Sequence, residues 1–145
     1  VVCAVGSAKT RKVIINKLKE SSIKFATLID PSVIMSDRVK IGAGTIICAG
    51  TIITVDIIIG NHVIINLDCT LGHDDIIHDY VTIYPSVNVS GNVEVGECSE
   101  LGTGMQIIQG KNIGKESIIG AGAVVIRDIP DKCTAVGSPA KVIKC

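Results

Sequence analysis

Aliphatic side chains recur along this chain at every sixth position without a break. Counting from Ile29, the series passes through Met35, Ile41, Ile47, Ile53, Ile59, Ile65, Leu71 and Ile77, and runs on through Ile113 and Ile119 to Val125. A run of this length is a property of the fold rather than of composition. One residue later glycine recurs, at Gly42, Gly60, Gly72, Gly96, Gly102, Gly114 and Gly120, where a bend is expected to need permissive backbone angles. Four residues after the aliphatic the side chain is usually small or β-branched, as at Thr45, Thr51, Val63, Cys69, Val81 and Ser99, and should also face inward. Six residues thus make one short strand and one turn. Three such units close a triangular coil of eighteen residues, and stacked coils pair their strands in parallel to give a three-sided prism.

Outside the repeat the pattern changes. Val1 to Val5 reads as a strand, Ser7 as a helix N-cap, and Ala8 to Glu20 as a helix with Val13, Ile14, Ile15 and Leu18 on one side. Ile129-Pro130 is expected to end the repeat, and Ala135 to Lys141 to form an exit loop. The organisation predicted is a strand-helix segment over 1–27, an all-β parallel prism over 28–130, and a tail over 131–145.

Composition supports many small, similar layers: the 145 residues are 47% hydrophobic but 2% aromatic, with 15 glycines and no Trp. Mean hydropathy is +0.50. The longest uncharged stretch, Ile41 to Val55, is nevertheless broken by Gly42, Gly44 and Gly50 and is shorter than the roughly 18 residues a spanning helix needs, so no membrane is expected. The chain opens with Val1 rather than Met, as a fragment would, and no apolar run with a cleavage site begins it; cytoplasmic location is the expectation. The six cysteines are widely spaced without a CxxC, which points to small core residues in a reducing compartment rather than a disulfide framework. Formal net charge is zero, so neither nucleic acid nor an anionic membrane is indicated. Locally, Lys9, Arg11, Lys12, Lys17, Lys19 and Lys24 read as a solvated helix face.

A prism is a scaffold, and chemistry is sought where the repeat breaks. The clearest break is Gly72-His73-Asp74-Asp75-Ile76-Ile77-His78-Asp79. Acyl transfer from a thioester needs a base for the attacking amine or hydroxyl, an acid that orients the base, and donors for the developing oxyanion. His73 and Asp74 can supply the first two. The eighteen-residue register sets Gly91 over His73, where a residue without a side chain could bring its N–H to a bound thioester. Asp75 falls in the inward slot, where an unpartnered carboxylate is costly, and it is expected to turn toward His73 or His78.

From Leu28 to Lys144 the chain resembles the sialic acid O-acetyltransferase (NeuD) type of sugar O-acyltransferases, including PglD-like N-acetyltransferases of UDP-linked 4-amino sugars. The resemblance is carried by Phe25 to Ser32, Ile65-Asn66 leading to His73-Asp74, Val89 to Val93, Ile119 to Ala123, and Ala135 to Lys141. It implies a left-handed β-helix, an exception to the usual right-handed crossover, and acetyl-CoA as donor with no metal. It implies that His73 is the general base, that Asp74 orients it, and that Asn66 helps line the acceptor site. It further implies a homotrimer with CoA between neighbouring prisms near Gly91, Thr103 and Ala121, Lys141 lying close to its phosphates. A second histidine is often found nine residues after the base, where this chain has Thr82, assigned here to the acceptor site. Cys is usual at Asp75 and Gly at His78. Residues 1–27 correspond to the last strand and helix of an α/β nucleotide-binding domain, and the acceptor implied is a sugar or nucleotide sugar.

Two other readings compete. Gly72-His73 with His78 also resembles the metal ligands of γ-class carbonic anhydrases, a zinc lyase family on this fold, but position 37 is Asp37 and His62 is out of phase. A non-catalytic assembly module is the third reading, against which the His73-Asp74 pair and the exit motif weigh.

Overall fold

The computed structural model describes residues 1–19 and 21–145. Among them, nineteen short strands form three sheets of eight, six and five strands, parallel except for the last strand of the first, and these are the faces of the prism. Each strand of the repeat is two residues long and pairs with the one eighteen positions on, as in Ile47↔Ile65, Ile65↔Ile83 and Ile83↔Leu101. The coil is left-handed. The second residue of each strand points inward and the first outward, so Ile53, Ile65, Leu71, Ile83, Leu101 and Val125 are buried in one continuous core. Ile29 and Met35, at the open first coil, remain 38% and 40% exposed because no coil lies beneath them. Each buried aliphatic contributes about 1.5–3 kcal/mol, so stability accrues layer by layer.

The recurring glycines act differently from expectation. Positive φ falls two residues after them, at Gly44, His62, Asp74, Cys98, Gly104, Glu116 and Gly122. What Gly42, Gly60, Gly72 and Gly102 provide is room: a Cβ at each would run into the backbone of the next coil's turn, or into a side chain rooted there. A Cβ on Gly42 would lie 2.5 Å from the Gly60 carbonyl.

The flanks differ from the sequence reading at several points. Val1–Val5 forms no strand, because the described residues offer it no ladder; Val1 O accepts from Ala26 N–H at 2.9 Å, and Arg11 donates to Val5 O. The helix α1 spans Ala8–Leu18, and Glu20 lies outside the described residues. Ser7 occupies the N-cap without a side-chain bond; Glu100, projecting from the eight-strand face, accepts the Ala8 N–H at 2.9 Å instead. The coil also does not stop at Pro130. Ile129 bridges to Ile113, and Ala135 pairs on Ile119 and is fully buried, after which Lys141–Lys144 turns back as an antiparallel strand. Cys133 and Cys145 form a disulfide that fastens this tail, contrary to the expectation of unpaired cysteines.

α1 packs through Ala8, Arg11 and Ile15, a spacing of three and four that puts them on one stripe, while Val13 is 54% exposed. Arg11 is not a solvated charge. Its guanidinium, 1% exposed, donates to the carbonyls of His62, Tyr80, Val81, Val5 and Gly6 and to Thr82 Oγ1. Burial pulls its pKa below the usual arginine value. Lys9 and Lys12 pair with Glu116 and Glu97 of the prism at 3.2 and 2.8 Å. Among the described residues, no helix is long and apolar enough to cross a membrane.

Candidate active site

His73 and Asp74 stand on the corner between the six-strand and five-strand faces. Asp74 takes the left-handed turn position, φ +60°, which brings its carboxylate round to its neighbour: His73 Nδ1 lies 2.8 Å from Asp74 Oδ2. An ionised carboxylate only accepts, so Nδ1 carries the proton and Nε2 is left with its lone pair. Nε2 faces Gly91, where an added Cβ would come within 2.5 Å of it. The two turns are tied directly, Asn92 N–H donating to His73 O at 2.7 Å. Both side chains remain about half exposed, at 50% and 60%.

Gly91 also leaves a donor free. At the matching turn position on another corner, the Ala43, Asn61 and Lys115 N–H groups are taken by side chains of Asn61, Asp79 and Asp131. No acceptor for the Gly91 N–H is found among the described residues. A cleft of 180 Å³ opens beside Asp74, lined also by Asn92, Glu94 and Asn112. The cleft adjoins the corner through Asp74, while the His73 ring itself lies against Gly91.

The other sequence candidates lie elsewhere. Asn66, half-buried with Nδ2 donating to Ile83 O at 3.0 Å, is on the corner between the eight-strand and six-strand faces. Thr103 and Ala121 stack on that same corner and are exposed, the turns joined by Gly122 N–H to Thr103 O at 2.9 Å. Lys141 is exposed at the start of the final strand. Within one chain, the six-strand face separates these residues from His73 and Gly91. Thr82 does not fit the acceptor role assigned to it. It is fully buried beneath α1, its hydroxyl donating to Gly6 O at 2.7 Å and accepting from Arg11 at 2.9 Å. The hexad makes Thr82 an outward rung, and nothing in the repeat announces that a helix covers it.

Asp75 turns to neither histidine. It is fully buried, and Oδ1 accepts the Val93 N–H at 2.9 Å. Burial pushes its carboxyl up to about 7, against the N–H groups of Val93 and Gly72 and the nearby His73, which lower it. His78 instead pairs with Glu94, Nε2 to Oε1 2.7 Å, and no group of three His, Cys, Asp or Glu able to hold a metal occurs among the described residues. His62 is buried between Phe25, edge-on at 4.9 Å, and Tyr80, stacked at 5.4 Å, and burial lowers its pKa. Its carbonyl receives Arg11, so it belongs to the seat of α1.

No family model matches the chain. Among solved structures, it is similar to a histidine-to-asparagine mutant of perosamine N-acetyltransferase from Caulobacter crescentus in complex with CoA and GDP-perosamine. The identity is 34% and the TM-score 0.96, covering 99% of this chain and 69% of that one. It is similar likewise to the acetyltransferase domain of PglB from Neisseria gonorrhoeae in complex with acetyl coenzyme A. There the identity is 34% and the TM-score 0.94, over 98% of this chain and 69% of that one. A provisionally named acetyltransferase of Saccharomyces cerevisiae is 54% identical over 52 residues, 36% of this chain. The match spans only 26% of that yeast relative's length.

Proposed function

The chain belongs to the hexapeptide-repeat acetyltransferases, and on that footing we propose that it transfers an acetyl group from acetyl-CoA to the amine of a nucleotide-linked amino sugar. The observation that carries this reading is the His73 corner: Nδ1 held by Asp74, Nε2 open, and the Gly91 N–H unclaimed beside it. The solved relatives hold CoA, acetyl coenzyme A and GDP-perosamine, which supplies the substrate class.

In the reaction proposed, the acceptor amine attacks the thioester carbonyl while His73 Nε2 takes its proton, so the C–N bond forms as the N–H bond breaks. Charge gathers on the former carbonyl oxygen, and the Gly91 N–H is assigned as its donor. Collapse of the tetrahedral intermediate breaks the C–S bond, and the His73 imidazolium returns the proton to the departing CoA thiolate. Asp74 holds the tautomer and offsets the imidazolium charge. The proton transfer by His73 is worth typically 10² to 10⁴ in rate.

Acetyl-CoA is assigned to the exposed Thr103–Ala121 corner, where a Cβ on Gly104 or Gly122 would meet nothing within 4 Å, with Lys141 as the cation for its phosphates. Asn66 is assigned to the acceptor side. Because the six-strand face keeps these residues apart from His73 within one chain, the complete site is read as lying between neighbouring prisms of a C3 homotrimer. Residues 1–27 are read as the end of an α/β unit that would hold the nucleotide.

The test is a screen of acetyl-CoA consumption against nucleotide-linked amino sugars, sialic acids and amino acids, with molecular mass measured by light scattering. Acceptor-dependent release of CoA with amino sugars and a trimer mass are expected. Turnover only with a hydroxyl acceptor would overturn the amine assignment, and a monomer would overturn the shared site.

A further inference from the structure

The inward slot four residues after each aliphatic shows a hydrogen-bonding pattern at Thr45, Thr51, Cys69 and Ser99; Ser117, near the end of the coil, makes its bonds to Pro130 O and Cys133 N–H at other spacings. Thr45 accepts the N–H of Val63, eighteen residues on, at 3.1 Å and donates to the carbonyl of Gly60, fifteen on, at 2.9 Å. Ser99 repeats both bonds with Ser117 N–H and Gly114 O, at 3.1 and 2.7 Å. Thr51 and Cys69 donate to the carbonyls fifteen residues on, Asn66 and Tyr84, at 3.0 and 3.2 Å. Hydroxyl or thiol, each slot residue stitches one turn to the turn above.

Asp75 occupies this slot directly under the His73 corner and makes half of the pattern. Oδ1 accepts Val93 N–H, eighteen on, at 2.9 Å, while Oδ2 is buried without a partner. Fifteen residues on is Ser90, and among the described residues nothing donates to its carbonyl. The Ser90 carbonyl belongs to the same peptide group as the Gly91 N–H.

We propose that Asp75 is carried as a neutral carboxylic acid, accepting Val93 N–H at Oδ1 and donating its Oδ2 proton to the Ser90 carbonyl, so that it positions the Ser90–Gly91 peptide against His73. This accounts for the unpartnered oxygen, since an acid proton there does what the Thr45 and Ser99 hydroxyls do. A donor on the Ser90 carbonyl also polarises its peptide and strengthens the Gly91 N–H as a donor. Ionisation would remove the bond and leave a charge in the core.

The surroundings favour the neutral form. The slot residues one coil away are Ile57 and Val93, and the flanking strands contribute Leu71 and Ile77, all buried and apolar. Two ionisable neighbours act on Asp75: His73, whose protonated form favours ionisation, and Asp74, which opposes it, with burial outweighing both and holding the carboxyl at about 7. Cys69, in the matching slot of the same coil, is pushed up to about 11 and stays a thiol.

Asp75 is thus a positioning residue, and its role at the site rests on the functional reading above; the test does not. In ¹³C- and ¹⁵N-labelled protein, the Asp75 carboxyl should be protonated at about pH 5 and titrate near neutrality, and the Gly91 amide resonance should move with it. Asp75→Asn, which can accept at Oδ1 and donate through its amide without titrating, should abolish that movement and keep the fold; Asp75→Cys should do the same as a second variant. Turnover of wild type relative to Asp75→Asn should be flat below neutrality and fall by up to about tenfold above it, the worth of one neutral hydrogen bond. An ionised Asp75 at pH 5, or a Gly91 amide indifferent to its titration, would overturn the proposal. If the amide follows Asp75 while the wild type transfers no acetyl group, the proposal stands and the functional reading falls.

Discussion

Replacing Gly91 by alanine places a methyl group where the His73 ring now lies. The new Cβ would sit 2.5 Å from Nε2 and 2.7 Å from Cδ2 and Cε1. Ordinary contact needs about 3.5 Å, so the imidazole must move by roughly 1 Å. The backbone need not move, because Gly91 lies outside the left-handed region. His73 is half exposed and can swing outward at a rotamer cost of about 1 kcal/mol. Alanine recovers about 0.4–1 kcal/mol by narrowing the unfolded ensemble, leaving net stability nearly unchanged. Function should not be spared, since a displacement of 1 Å at a catalytic group costs on the order of 10²-fold. The assay is steady-state release of CoA with a nucleotide-linked amino sugar, beside the melting temperature and the acetyl-CoA dissociation constant. A fall in kcat of about a hundredfold with the other two preserved is expected. Normal turnover would show that the ring does not act from where it stands, and a collapse in melting temperature would show that Gly91 serves packing alone.

Three further outcomes follow from the same structure. Arg11→Met leaves buried carbonyls without a donor, at a cost on the order of 3 kcal/mol; hydrogen exchange of the α1 amides should quicken by roughly a hundredfold, and unchanged protection would show that Arg11 does not hold α1 to the prism. The folded chain holds the Asp75 proton more tightly than the unfolded chain, so the stability it contributes is complete below about pH 4 and lost as pH rises through about 7. With the carboxyl raised from 3.8 to about 7, that loss is on the order of 4 kcal/mol, read as a decline in melting temperature that Asp75→Asn should lack; equal slopes would contradict it. Acetyl-CoA at about a hundred times its dissociation constant should stabilise the chain by about 2.7 kcal/mol, whereas stoichiometric zinc with no response to acetyl-CoA would favour the lyase reading.

The prism was legible because its signal is redundant: each hexad repeats the inward aliphatic of the one before, and an eighteen-residue register follows by arithmetic. The same arithmetic sets Gly91 over His73. What stayed hidden was whatever depends on a non-repeating partner. Thr82 sits on an outward rung but is roofed by α1, and Arg11 reads as one more basic residue until His62 and Tyr80 offer it their carbonyls. The Cys133–Cys145 pairing depends on the tail folding back beside Ala135, which spacing alone does not specify. The glycines were found for the wrong reason, since period shows where Gly recurs but not whether torsion or close approach requires it. Asp75 looked like an error in the pattern and follows its rule once the slots are compared.

The central claim is that His73 moves the proton in acetyl transfer, and kcat of His73→Ala against wild type tests it most directly. Asp74→Asn serves as the graded control, measured with acetyl-CoA and a nucleotide-linked amino sugar at matched molecular mass and acetyl-CoA affinity. The account predicts a loss of 10² to 10⁴ in kcat for His73→Ala, a smaller loss for Asp74→Asn, and acetyl-CoA binding unchanged in both. Turnover near the wild-type value in His73→Ala would contradict it.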